Sequence, residues 1–242
     1  MAELRQRYLD AVRELLGPHL HDQLSPSMLA EACVLVLPVD GAGISMSDPR
    51  LRVPLGWSSG DAAATERLQT TLGEGPCLTA AAQESALVAD AAAIARRWPV
   101  YQVELNRQTP FCSVASVPLR APDEGVFGAL NLYAYRPDLS AVLALDDTEA
   151  MAEPMAAMLL WMLAHPGAGE PDDGLPLRLD QDSAVARSEV WVAVGMLIAN
   201  STLTDMTALA RLRGFAFSHE LTLDDAAHRL VERFLPVEAV LR

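Results

Sequence analysis

Apolar residues follow two kinds of spacing in the first part of this chain. Apolar and other positions alternate at residues 111–120 and again at residues 125–137, with turn-forming residues between the two runs. Alternation with a period of two predicts β-strands, and the turn between them predicts a hairpin. Shorter runs bounded by turn residues predict further strands at residues 42–47, 51–57 and 86–90. The first part of the chain therefore predicts a five-stranded sheet.

Helical spacing surrounds these predicted strands. Residues 1–16 repeat apolar positions at helical intervals, and a second helix is predicted after Ser25, a residue type favoured as an N-cap. Further helices are predicted at residues 97–108 and from about residue 147 to 164, where Pro154 either kinks the helix or marks its start. Strands flanked by helices predict an α+β sandwich.

A segment rich in Pro, Gly and Asp divides the chain. Residues 165–183 show no apolar periodicity and predict a linker. After it, an apolar repeat from Val190, an N-cap at Thr204 and a capping-box pattern at Thr222 predict three helices. The predicted domains and linker are residues 1–164, 165–183 and 184–242. The positions predicted to be buried in these helices are Val190, Ala193, Val194, Leu197, Leu209, Leu212, Phe215, Ala216, Leu223, Ala226, Ala227, Leu230, Val231 and Phe234.

Charge and composition limit the partners of the chain. A net charge of −14 and a pI near 4.7 disfavour non-specific attraction to nucleic acid or to an anionic membrane. The longest apolar runs, residues 155–164 and 190–199, are about half of the roughly 20 residues that a spanning helix needs. Three cysteines and the lack of a secretory leader favour a reducing cytoplasm. The scattered histidines lack metal-ligand spacing, so no metal site is predicted.

The sequence Gly-Glu-Gly-Pro-Cys at residues 73–77 is the clearest candidate for chemistry. A phosphate-binding loop is disfavoured, because Leu78 stands where the dinucleotide template needs glycine and no Gly-Lys-Ser/Thr follows. A nucleophilic Cys77 is physically feasible at a helix N-terminus, but no histidine lies nearby in the sequence to act as its base. The third interpretation is a turn that enters a short helix through Pro76, with Cys77 and Leu78 packed inside. We therefore expect a protein that is not an enzyme.

Three stretches of the sequence together carry a family resemblance. The runs LGEGPCLTAA, ALVAD and SVPLRAPDEGVFGALNLYAYRP occur in this order between residues 72 and 137. They resemble the GAF domain of GAF and ANTAR domain proteins, over residues 24–164. The resemblance implies a sensory domain with a GAF-type antiparallel sheet flanked by helices. It also implies a pocket over one sheet face that holds a small molecule in some members; the sequence identifies no ligand and predicts no cofactor.

The C-terminal residues carry a second, independent resemblance. They are similar to the ANTAR domain, a three-helix RNA-binding module of transcription antiterminators. The matching positions are Ala193, Gly195, Ala208, Leu209, Leu212, Arg213, Ala216, Leu223, Ala227 and Val231. This resemblance implies that the chain regulates transcription antitermination by binding RNA stem-loops as a dimer under the control of the sensory domain. A homodimer is predicted through residues 1–16, through the Met-rich helix before the linker, or through both.

Five arginines are candidate RNA contacts, because guanidinium groups bind phosphates and stack on splayed bases. They are Arg187, Arg211, Arg213, Arg229 and Arg233. Two features favour a different interpretation. Residues 184–242 contain six arginines and seven acidic residues, a net charge of −1, and Val192 and Val194 make the first helix apolar where many ANTAR helices are polar. The alternative is a sensory or scaffold protein that dimerises or binds a protein partner and has lost RNA binding.

Overall fold

The computed structural model describes five stretches of the chain. They are residues 2–17, 24–47, 51–122, 125–164 and 181–242, with residue 47 and residues 181–187 described by their backbone alone. Most of the predicted linker, residues 165–180, lies outside the described residues. The helix that follows begins at Gln181.

Five antiparallel strands form one sheet in the described part of the chain, as predicted. Their bounds are β1 Gly41–Ser47, β2 Arg52–Trp57, β3 Leu87–Ala89, β4 Ser113–Ala121 and β5 Gly125–Ala134. The spatial order is β2-β1-β5-β4-β3, which places the β4–β5 hairpin beside β1. Within it Ser116 lies opposite Asn131, and Gly43 of β1 lies on the other side of Asn131. Because aligned residues share a face, these three positions lie on one side of the sheet.

Along the chain, helices precede the strands, connect them and follow them. Their bounds are α1 Ala2–Leu16, α2 Pro26–Val36, α3 Gly60–Leu72, α4 Pro76–Gln83, α5 Ala91–Arg97, α6 Pro99–Gln108, α7 Leu145–Ala164, α8 Gln181–Ala199, α9 Asp205–Ser218, α10 Leu223–Val231 and α11 Val237–Leu241. The helix predicted from residue 97 instead begins at Pro99, because Trp98 adopts a non-helical φ of −138° and ψ of 68°. Pro154 lies inside α7 and does not mark its start. Across the described stretches, no helix combines the length and apolarity needed to cross a membrane.

The main apolar core lies on one face of the sheet. There α2 packs on β1 and β2, α7 packs on β4, and α1 packs on both of these helices. Tyr8 of α1, Met155 of α7, and Leu130 and Leu132 of β5 are fully buried in this core. The apolar stripes of α1 and α7, which are the predicted dimer surfaces, therefore pack within the chain itself.

The other face of the sheet is covered by α3 and α4. Helix α3 packs on β1 and β2, and α4 packs on β4 and β5. A second apolar cluster, which includes Phe111 and Tyr101, lies where α3 meets α6. Residues 2–164 thus form one layered unit, called the sheet domain, whose α3 face also holds the polar residues described below.

Residues 181–242 form the C-terminal unit. Both predicted N-caps are confirmed: the Thr204 hydroxyl accepts a hydrogen bond from the Thr207 N–H at 3.3 Å, and Thr222 forms a capping box with Asp225. Most positions predicted to be buried in α8, α9 and α10 are buried. The short α11 is a fourth helix that the sequence pattern does not indicate.

Phe234 is the clearest error among the predicted core positions of the C-terminal unit. Its side chain is 77% exposed. Helix α10 ends at Val231, and Arg233 turns the chain with a φ of 62°. The helical spacing that would bury Phe234 therefore stops before it.

Candidate functional site

The Gly-Glu-Gly-Pro-Cys stretch is a turn between α3 and α4. Gly73 ends α3 with a φ of 69°, and Gly75 precedes Pro76, the first residue of α4, with a φ of 141°. Cys77 donates its backbone N–H to Oε1 of Gln69 at 3.1 Å, and a Cβ at Gly75 would lie 2.5 Å from the same oxygen. The interpretation as a turn that enters a short helix is confirmed, and this geometry requires glycine at position 75.

Burial governs the chemistry of Cys77. Its side chain is 1% exposed. Removal from water raises the pKa of the thiol to about 12, although the nearby Arg52 lowers it in part. Reactive cysteines are thiolates in partly exposed, electropositive sites. The structure therefore gives Cys77 a packing role.

A buried polar cluster lies between α3 and the sheet. Glu66 and Gln69 come from α3, Asn131 and Tyr133 from β5, and Arg52 from the start of β2. Each of these five residues is 3% exposed or less. Charged residues are almost never buried to this degree unless they are paired. The cluster is therefore the first candidate for a functional site in the sheet domain.

Glu66 stands at the centre of this cluster. Its Oε1 accepts hydrogen bonds from Nδ2 of Asn131 at 2.9 Å and from the Tyr133 hydroxyl. Its Oε2 forms an ion pair with the Arg52 guanidinium, which also donates to the Glu66 carbonyl oxygen at 3.0 Å. Gln69 donates to the Tyr133 hydroxyl at 3.4 Å. One carboxylate thus connects α3 to β2 and β5.

A glycine on β1 makes room for this carboxylate. A Cβ at Gly43 would overlap the Glu66 side chain. On the far side of Asn131, Ser116 donates from Oγ to Oδ1 of Asn131 at 2.8 Å and extends the network to β4. Protein side chains therefore occupy this face of the sheet, which is an alternative to the ligand pocket that the resemblance implies.

The hydroxyls of the two tyrosines near Glu66 stay protonated, so each can donate a hydrogen bond. Burial raises the pKa of Tyr133 and of Tyr101 well above the usual value, and the acidic groups around them add to the effect. The Tyr101 hydroxyl and Nε of Arg52 have no hydrogen-bond partner within the described stretches. The cluster is thus a charged core whose carboxylate is held by neutral donors and by one guanidinium.

The C-terminal unit contacts the sheet domain at the last turn of α3. Arg213 of α9 donates from Nε to the Thr70 carbonyl oxygen at 3.1 Å, and the N–H of Leu223, at the start of α10, donates to Oγ1 of Thr71 at 3.0 Å. Arg52 reaches the same turn, with its guanidinium 3.5 Å from Oγ1 of Thr70. The buried cluster and the C-terminal helices therefore meet at one turn of α3.

A small cavity marks the same boundary. It has a volume of about 30 Å³, and its lining includes Arg52, Arg67, Val190 and Asp224. Burial raises the pKa of the Asp224 carboxyl, and the nearby Arg67 opposes this effect. Charged side chains from the sheet domain and the C-terminal unit therefore share one partly buried space.

The predicted RNA-binding arginines lie in different environments. Those with exposed side chains are Arg211, Arg229 and Arg233. Arg213 is partly buried against the sheet domain, where it covers Gly73, and burial lowers its pKa. The side chain of Arg187 lies outside the described residues. A contact of Arg213 with RNA would require the boundary with the sheet domain to open.

The two valines of α8 that set this chain apart from many ANTAR sequences differ in burial. Val194 is 2% exposed and packs in the core, whereas Val192 is 49% exposed. The predicted burial is thus confirmed for Val194. The apolar side chain of Val192 is therefore exposed on the surface of α8.

A groove between α9 and α11 was not found by reading the sequence. Its volume is about 490 Å³. The lining residues are Thr207, Ala210, Arg211, Gly214, Phe215, Ser218, His219, Ala239, Val240 and Arg242. Arg211 of this lining is also one of the five arginines predicted to contact RNA. The residues from α9 recur at helical spacing, but the second wall is α11, which the pattern does not predict.

Comparison with known families gives one match. A family model described as GAF domain matches residues 19–159, which is more than half of the 242-residue chain. The matched residues end before the C-terminal unit, so the ANTAR resemblance of residues 184–242 stays a prediction. The comparison with curated proteins gives no match.

Solved structures similar to this chain include two GAF domains from phosphoenolpyruvate-protein phosphotransferases. The match to the domain from Coxiella burnetii is 16% identical, covers 66% of this chain and 96% of that domain's chain, and has a TM-score of 0.45. The match to the domain from Acinetobacter is 11% identical, covers 67% of this chain and 94% of that domain's chain, and has a TM-score of 0.47. The match to a type II free methionine-R-sulfoxide reductase from Thermoplasma acidophilum is 13% identical, covers 65% of this chain and 95% of the reductase chain, and has a TM-score of 0.40. At these identities and TM-scores, the likeness indicates neither a ligand nor an activity.

The matched family model does not test whether this chain catalyses a reaction, so the expectation that it is not an enzyme stays a prediction. Within the described ranges, no group of three or more His, Cys, Asp or Glu side chains is placed to hold a metal ion.

Proposed function

Because this chain belongs to the GAF domain family, we propose that it is a signal-responsive regulator whose C-terminal unit binds RNA stem-loops as a dimer and so regulates transcription antitermination. Family membership supports the sensory part. The resemblance of residues 184–242 to ANTAR domains supports the RNA-binding part. The connection between them rests on one observation, the hydrogen bonds from α9 and α10 to the last turn of α3.

These hydrogen bonds offer a route for the signal. A shift of α3 over the sheet would move the Thr70 carbonyl and the Thr71 hydroxyl, and with them Arg213 and Leu223. Packed helices move as rigid elements, so the shift would reach the whole of α9. Helix α9 also carries Arg211, which is exposed. A change in the sheet domain would therefore alter how α9 is presented to RNA.

The Glu66 cluster bears on the nature of the signal. A small molecule bound on this face of the sheet would have to separate Glu66 from Arg52, Asn131 and Tyr133. Leaving one member of a buried ion pair without its partner costs about 3–5 kcal/mol. The cluster therefore favours a signal that acts on α3 from outside over a ligand bound within it, and we assign no cofactor.

Specific features of the C-terminal unit favour a second function. Arg213 is engaged by the chain itself, and Val192 is 49% exposed. The unit also lacks the positive charge from which RNA-binding proteins gain much of their affinity. These features suit a sensory or scaffold protein whose helices dimerise or bind a protein partner without RNA.

Binding of RNA separates the two functions. We expect the 242-residue chain to bind a pool of paired RNA hairpins with randomised loops more tightly than hairpins of the same sequences made of DNA. The measurement is fluorescence anisotropy at fixed salt concentration, with light scattering to show two chains in each complex. Equal binding of both pools with a Kd no tighter than about 10 µM, the non-specific range, would favour the partner-binding function.

A further inference from the structure

The groove between α9 and α11 has a volume of about 490 Å³, against about 30 Å³ for the cavity at the domain boundary. This is within the volume range of binding sites for small ligands. Gly214 lies on its lining, and a Cβ at this position would meet no atom within 4 Å. The middle of α9 is therefore open to an occupant.

The charge of the groove is opposite to that of the chain. The protein has a net charge of −14, yet among the described residues the groove is lined by Arg211, Arg242 and His219 and by no Asp or Glu. The Arg211 side chain is exposed and donates a hydrogen bond to the Leu241 carbonyl oxygen at 3.3 Å. Since a guanidinium has five N–H donors, others remain for an anion. The groove is therefore complementary to phosphate.

One end of the groove carries a stacked aromatic pair. The rings of Phe215 and His219 lie 3.9 Å apart with an interplanar angle of 20°. Nδ1 of His219 lies 2.9 Å from the Phe215 carbonyl oxygen and 3.1 Å from Oγ of Ser218, and these two contacts fix the orientation of the ring. The imidazole is exposed, whereas Phe215 is partly buried beneath it. An exposed aromatic ring with a fixed orientation is a surface on which a base can stack.

We propose that the groove between α9 and α11 binds a single-stranded loop of RNA, with Arg211 contacting a backbone phosphate and His219 stacking on one unpaired base. This inference rests on the proposed function and adds to it the place of contact and the part of the RNA contacted. Phosphate and an exposed base are the two chemical features that the groove matches together. An acidic peptide would satisfy the arginines and leave the aromatic pair unused.

A glycine pair tests the groove without removing a contact. In Gly214→Leu a side chain fills the groove, and the fold should be retained because leucine has a higher helix propensity than glycine. Gly60→Leu at the start of α3 is the matched control, because Gly60 also has open space around its Cβ and lies in the sheet domain, outside the groove. We expect Gly214→Leu to weaken binding of the RNA hairpin pool at least about fivefold, and Gly60→Leu to bind like the wild type.

Two further variants separate the phosphate contact from the stacking contact. Arg211→Gln should lower the slope of log K against log salt concentration by about 0.7, as expected for one phosphate on a single strand. Its control is Arg96→Gln, which removes one exposed arginine from the sheet domain. His219→Ala should weaken binding at least about fivefold with little change in that slope, and His228→Ala, outside the groove, should leave binding unchanged.

The inference is overturned if Gly214→Leu and His219→Ala bind the hairpin pool as tightly as the wild type. It is also overturned if these variants weaken the dimer in light scattering and leave RNA affinity unchanged, because the groove would then receive a second copy of the chain. Both results leave the proposed function standing. A wild-type chain that does not bind the pool contradicts the proposed function and the inference together.

Discussion

Replacement of Arg52 by methionine is expected to lower the free energy of unfolding by about 3–5 kcal/mol. The reason is the position of Glu66, whose side chain is fully buried and loses its cation in this variant. Asn131 and Tyr133 continue to donate to the carboxylate but cannot neutralise it. A domain is typically stable by only about 5–15 kcal/mol, so the loss is a large part of the total.

Urea unfolding followed by circular dichroism measures this effect. Arg120→Met is the matched control. Arg120 also lies on a strand and forms an ion pair with a glutamate, but its side chain is 49% exposed and that of its partner Glu84 is 64% exposed. An exposed pair contributes about 0–1 kcal/mol. Should Arg52→Met fail to fold, the Arg52→Met, Glu66→Gln double variant should restore folding, because it removes the unpaired charge. A loss below about 1 kcal/mol in Arg52→Met would contradict the account of the cluster.

Alkylation of Cys77 in the native protein is expected to be about a thousandfold slower than that of an ordinary thiol at pH 8. Burial raises the pKa of this cysteine from 9.0 to about 12, and a change of three pKa units lowers the thiolate population about a thousandfold. Burial also raises the pKa of Cys33, whose side chain is 0% exposed. Cys112 is partly exposed and serves as the internal reference.

Timed labelling with iodoacetamide, followed by mass spectrometry of the peptides, distinguishes the three cysteines. Cys112 should be modified first, and all three should react at similar rates in concentrated urea. While the pH is below the pKa of Cys77, its labelling rate should rise about tenfold for each unit by which the pH is raised, since the thiolate is the nucleophile. Labelling of the native Cys77 as fast as Cys112, or faster, would revive the interpretation of this residue as a catalytic nucleophile.

Local patterns predicted the elements of this fold well. Period-two alternation located the β4–β5 hairpin, and the threonines at positions 204 and 222 marked the starts of α9 and α10 correctly. These signals lie within a few residues of the structure that they specify. The errors were local too: Trp98 separates α5 from α6, and Arg233 turns the chain before Phe234.

The candidate sites depended on long-range contacts that no local pattern contains. Arg52, Glu66 and Asn131 lie on three different elements, β2, α3 and β5, and only the sheet order and the packing of α3 bring them together. For the same reason, sequence reasoning could not distinguish Arg213, which is held by Thr70 of the sheet domain, from Arg211, which is exposed. A helical wheel shows which face of α9 is apolar, but not which neighbour covers the other faces.

Coupling between the sheet domain and the C-terminal unit is the central claim, and hydrogen exchange of the chain with and without the RNA hairpin pool tests it most directly. Linkage is reciprocal, so RNA bound to the C-terminal unit should also stabilise the turn to which that unit is hydrogen-bonded. We expect slower exchange in peptides that contain residues 66–73 when RNA is present. Thr71→Val, which removes the acceptor of the Leu223 N–H, should still bind RNA and lose this response. Unchanged exchange at residues 66–73 in the RNA-bound wild type would contradict the claim.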